Sequence, residues 1–84
     1  MNILYAYPAE MGRGVEAEIL GLLRDRCGHA VQTAREERDA ERGSKVDVLV
    51  TVTVEGPHSD VALNSLRAHP AVIDAAEESF GERV

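Results

Sequence analysis

Residues 45–55 read KVDVLVTVTVE. Val46, Val48, Val50, Val52 and Val54 recur at every second position, the period at which side chains of a β-strand share one face. β-Branched residues in that register favour an extended backbone. Asp47, Leu49, Thr51 and Thr53 fall on the opposite face. The valine face is therefore expected to meet helices in a core. The mixed face is expected to be partly covered or turned toward a partner.

Downstream, Gly56 and Pro57 stop the strand. A short helix is expected next. Ser59 or His58 is placed to cap it, Asp60 suits its first turn, and Val61, Ala62, Leu63, Leu66 and Ala68 supply its apolar side. Pro70 ends it, because proline cannot continue the hydrogen-bond ladder. Residues 71–76 read as a last strand with Val72 near its start. The tail EESFGERV, residues 77–84, is polar apart from Phe80 and Val84.

Upstream, residues 36–44 read EERDAERGS, charged and without apolar periodicity. This run is expected to be a solvated hairpin connection with extended or mobile strand ends, and with Gly43 and Ser44 as turn formers. Residues 29–35 form a weaker strand before it. Over residues 14–27 the period changes: Val15, Ile19, Leu22 and Leu23 make one helical stripe. Glu16 and Glu18 near its start and Arg24 and Arg26 near its end match the helix dipole, and Gly28 suits a C-cap. Residues 2–7 read as a strand that is apolar on both faces, Ile3, Tyr5 and Tyr7 alternating with Leu4 and Ala6, which suits an inner position. Pro8 ends it, and Gly12 and Gly14 shape a loop into the helix.

The element order is β-α-β-β-α-β. With right-handed crossovers this predicts an α+β, ferredoxin-like fold, two helices on one face of a four-stranded antiparallel sheet. The chain has 84 residues, enough for a single domain. A domain of this size buries only roughly 60–65% of the surface its unfolded chain exposes. The core is thin, and an open sheet face is often covered by a second copy. A formal net charge of −6 argues against a nucleic-acid surface and against an anionic membrane surface. No stretch approaches the ~20 apolar residues of a membrane span, and the start MNILYAYP lacks the basic and apolar regions of a signal peptide. With a single cysteine, Cys27, no intrachain disulfide forms, which fits a reducing, cytoplasmic setting.

Two segments carry a family resemblance. Residues 14–34, GVEAEILGLLRDRCGHAVQTA, resemble the first half of an ACT domain, with Gly14, Val15, Ala17, Glu18, Ile19, Leu20, Leu22, Leu23 and Gly28 matching its pattern. Residues 46–75 resemble its second half: a valine-rich strand, a short helix ending at Leu66, and a P-x-V step, Pro70 to Val72, into the last strand. The resemblance covers nearly the whole chain, as one ACT-like domain over residues 1–84. It implies a regulatory module, commonly dimeric, that takes a small ligand such as an amino acid at the loop before the first helix. The matching positions are Met11, Gly12, Arg13 and Gly14, with Arg13 where the family has a proline. Free N–H groups at a helix start attract a carboxylate, and Arg13 is placed to assist. A narrower resemblance is to the C-terminal cytoplasmic domain of MgtC/SapB-type membrane proteins, although Asp74-Ala75-Ala76 replaces an aromatic found there. That implies a ligand-free interaction domain. In either setting a homodimer is expected, with Leu49, Thr51 and Thr53 as its face.

Catalysis is not expected, because no base and third group mark Cys27 as a nucleophile. MGRGVEAE, residues 11–18, has neither the Walker lysine nor full dinucleotide spacing, so no nucleotide cofactor is implied. Cys27 and His29 flank Gly28, with His58 and His69 elsewhere. A tight zinc site needs four convergent ligands, so a metal carrier is the least favoured reading and no metal is assigned.

Overall fold

The computed structural model describes residues 1–12, 14–39 and 45–78. Its elements in chain order are β1 (Asn2–Pro8), α1 (Gly14–Cys27), β2 (Ala30–Asp39), β3 (Val46–Val54), α2 (Ser59–Ala68) and β4 (Asp74–Glu78), with 3-10 turns at Ala9–Met11 and Gly56–His58. The four strands form one sheet in the order β2-β3-β1-β4, and all neighbouring pairs are antiparallel. This α+β arrangement is compatible with a ferredoxin-like fold. None of the helices is long and apolar enough to cross a membrane among the described residues.

The valine alternation sets the core. Val48, Val50 and Val52 lie opposite Tyr7, Tyr5 and Ile3 in register, so one face of the two central strands is continuously apolar. Val15, Ile19, Leu23 and Cys27 of α1 and Ala62 and Leu66 of α2 join these residues in one buried cluster, which puts both helices on that face. Each Val, Leu or Ile side chain so buried contributes roughly 1.5–3 kcal/mol relative to exposure. Gly28 closes α1 at φ 81°, donating its N–H to the Arg24 carbonyl at 2.9 Å, the left-handed cap its position predicts.

Three expectations need correction. First, β2 runs to Asp39, so residues 36–39 are an extended strand end of the hairpin, paired in full rather than part of its connection. Glu36, Glu37, Arg38 and Asp39 pair with Leu49, Val48, Asp47 and Val46. Backbone ladder bonds do not depend on side-chain polarity, and an edge strand tolerates charge. Arg35 pairs with Glu37 at 3.1 Å and Arg38 with Glu36 at 3.3 Å, each two residues apart on one face. Residues 40–44, including Gly43 and Ser44, lie outside the described residues. Second, the last strand is Asp74–Glu78, and Val72 precedes it, packed against the core. The Ile73 N–H bonds the Ala6 carbonyl at 2.8 Å, and pairing with β1 then carries the two glutamates into the sheet. Third, His58 occupies the α2 N-cap without a side-chain capping bond. The 3-10 turn there is closed by the backbone instead, His58 N–H to the Glu55 carbonyl at 3.0 Å, and Ser59 is the first helical residue.

Candidate functional site

At the start of α1, Met11 and Gly12 are exposed, and Arg13 lies outside the described residues. Gly12 has φ 86° and closes the preceding turn through its N–H to the Ala9 carbonyl at 3.1 Å, a conformation that favours glycine. Gly14, also exposed, begins the helix, and a Cβ there would meet nothing within 4 Å. Its family match is thus not required by crowding. The predicted loop is accessible, but the first turn of α1 already carries a carboxylate of its own, Glu16.

Glu16 joins three elements. Its carboxylate accepts hydrogen bonds from Tyr7 Oη on β1 at 2.5 Å, from Gln32 Nε2 at 2.9 Å and from Arg35 Nε at 2.8 Å, the last two on β2. Its side chain is 12% exposed. Burial pushes its pKa up, but the bonds from Arg35, Tyr7 and Gln32 outweigh that and hold the carboxyl below its ordinary value. Burial, and then the bond to Glu16, raises the Tyr7 phenol. Arg35 is held more firmly protonated, first by Glu16 and then by Glu37. Tyr5 stacks near Tyr7 with ring centroids 6.3 Å apart, and its buried Oη has no partner among the described residues. Its phenol is raised chiefly by burial. The sequence marks Glu16 only as a dipole-complementing residue and Arg35 only as the end of a weaker strand, next to a charged run. Their pairing is nonlocal and has no sequence signature.

The second predicted surface is the sheet face away from the helices. Leu49 lies opposite Ala6, Thr51 opposite Leu4, and Thr53 opposite Asn2. All six are half-buried. Leu4, Ala34, Leu49 and Thr51 line a shallow depression of about 530 Å³, with Glu36 and Arg38 along it. Thr53 does not line it; its hydroxyl bonds Asn2 Oδ1 at 2.7 Å. Leu4 is legible from the doubly apolar first strand. Ala34 is not, because a register shift between Gln32 and Ala34 moves the strand's alternation by one residue.

Cys27 is 3% exposed, and its thiol donates to the His58 carbonyl at 3.8 Å. Burial raises its pKa, the environment of an unreactive thiol. His29 is exposed, so the two neighbours of Gly28 face different surroundings. Among the described residues no group of three or more His, Cys, Asp or Glu side chains is disposed to hold a metal ion. Comparison with protein-family models and with curated proteins returns no match.

Proposed function

We propose that this chain is a non-catalytic regulatory module, ferredoxin-like and of ACT type, that works by pairing with a second copy through its open sheet face. The observation that carries this reading is the depression formed by Leu4, Ala34, Leu49 and Thr51 on a face the chain's own helices leave open. The face carries both signs, Arg38 beside Glu36 along the depression and Asp74 opposite Ala6 on β1. A mixed margin suits a self-complementary, two-fold interface better than a polyanion or a strongly basic partner. The edge of β2 is a poorer candidate, because its charges and bulge discourage strand addition.

The size of the face sets the expected strength. Four strands spaced by ~4.8 Å over a length of ~20 Å cover about 400 Å² per copy. Roughly 800 Å² in total lies below standard stable interfaces, so pairing is weak and reversible. The same surface serves the alternative setting, a ligand-free cytoplasmic domain of an MgtC/SapB-type membrane protein.

Sedimentation equilibrium across a concentration series tests the reading. A monomer–dimer equilibrium is expected, weakened at least tenfold by Leu49→Lys with the fold intact by circular dichroism. A strictly monomeric protein at millimolar concentration, or a dimer indifferent to Leu49→Lys, overturns it. An amino-acid panel in a thermal-shift assay addresses the ligand implied at Met11, Gly12, Arg13 and Gly14. A ligand at a hundredfold over its Kd stabilises by about 2.7 kcal/mol.

A further inference from the structure

A second concavity lies on the opposite side of the molecule, between the two helices. Its volume is about 340 Å³, near the lower end of the roughly 300–1,000 Å³ of small-molecule sites. Leu22, Ala68 and Pro70 give it apolar walls, and Arg26, Asn64 and Ser65 give it hydrogen-bonding groups. Leu22 and Arg26 are one turn apart on the same face of α1, as are Asn64 and Ala68 on α2.

The cation is what distinguishes this groove. Among the described residues every lysine and arginine side chain except Arg26 has a bonding partner: Arg24 and Arg67 bond carbonyls, and Arg35, Arg38 and Lys45 pair with glutamates. Arg26 is exposed, so in a chain of net charge −6 its guanidinium is a cation left open to an anion at the edge of an apolar wall. His69 does not compete for an anion. The Ala71 N–H donates to its Nδ1 at 3.1 Å, so the ring proton sits on Nε2, which donates to Glu18 Oε1 at 3.1 Å. No Asp or Glu is among the residues lining the groove, and the carboxylate that reaches its margin, Glu18, already accepts a hydrogen bond from His69. A zwitterionic amino acid would therefore find no free carboxylate among the lining residues to receive its ammonium group.

We infer that the groove between α1 and α2 binds a small monocarboxylate with a short apolar chain, its carboxylate on Arg26 and its chain against Leu22, Ala68 and Pro70. A planar guanidinium offers a carboxylate two parallel N–H donors, and the apolar walls offer burial to a chain that water does not solvate well. The site is separate from the open sheet face and stands or falls independently of self-association.

The test is a two-dimensional amide NMR titration of the whole chain with sodium hexanoate, hexan-1-ol and glycine as parallel arms. Hexanoate is expected to shift the amides of Leu22, Arg26, Ser65 and Ala68 and to bind at least tenfold more tightly than hexan-1-ol, with glycine silent. Arg26→Gln is expected to weaken hexanoate at least tenfold while leaving the spectrum elsewhere unchanged. Ser65→Ala, which keeps the cation, is expected to weaken it less, and supplies a second variant should Arg26→Gln disturb the helix. Equal binding of the alcohol, an unchanged affinity in Arg26→Gln, shifts confined to the sheet face or the α1 start, or no shift well into the millimolar range overturns the inference.

Discussion

The two faces of the sheet are built from the same strands, yet they have different fates. On the helix side, Ile3, Tyr5, Tyr7, Val48, Val50, Val52 and Val54 are at most 2% exposed. On the other side, Leu4, Ala6, Leu49, Thr51 and Thr53 remain half-buried. β1 is apolar on both faces and does not decide between them. β3 decides, because its valines all fall on one face and its aspartate and threonines on the other. The lesson is that a face is chosen as core by its least tolerant strand. The apolar remainder of β1 is then left on a surface that the chain itself does not cover.

The largest effect expected from this contrast comes from neighbouring residues on β1. Ile3→Ala removes a fully buried side chain and should cost about 2–5 kcal/mol in urea unfolding. Leu4→Ala, one residue on and on the open face, should cost under about 1.5 kcal/mol in dilute protein, because less area leaves water there. Its greater effect should be on self-association. Equal destabilisation by the two would mean that the open face is part of the core, and the contrast would fail.

The ion pairs of β2 sharpen the same comparison. Arg35 faces the helix side and meets the shielded Glu16, whereas Arg38 and Glu36 are 61% and 63% exposed on the other face. Glu16→Gln should cost about 1.5–3 kcal/mol, the range of hydrogen bonds to a charged group. Because the folded carboxyl titrates below its ordinary 4.5, Glu16 contributes stability that is present above that value and lost as pH falls through the lower folded one. The stability difference between the native chain and Glu16→Gln should therefore shrink below about pH 4.5 and stay constant toward neutrality. A difference that grows on acidification would sink this account. The smallest effect is expected on the open face, where Arg38→Gln should change unfolding free energy by less than about 0.5 kcal/mol.

How far the sequence could be read varies along the chain for a physical reason. The bounds of α1 are legible because an apolar stripe, charges matched to the dipole and Gly28 agree on them. In β2 the local signals conflict. Residues 36–39 carry nothing apolar, and their strand state comes from pairing with a valine ladder already held in the core. β4 behaves alike, its glutamates Glu77 and Glu78 carried into the sheet by Ile3 and Asn2 opposite. Of the predicted site residues, Leu49 and Thr51 line the open-face depression, and Thr53 turns to Asn2. The groove of Arg26 was not legible, because it joins α1 to α2 across nearly forty residues of chain, a juxtaposition that periodicity does not encode.

By itself, then, the sequence determined where the chain buries apolar surface: the valine face of β3, the stripe of α1, and the breaks at Gly28, Pro57 and Pro70. These are local periodicities of side chains against backbone geometry, and they need no knowledge of neighbours. Tertiary structure alone decided which charged residues are strand, that Glu16 holds Arg35, Gln32 and Tyr7 together, and that Arg26 is left unpaired among the described residues beside an apolar wall. Charge carries no period, and its partners are settled only when the sheet brings distant segments within hydrogen-bonding reach.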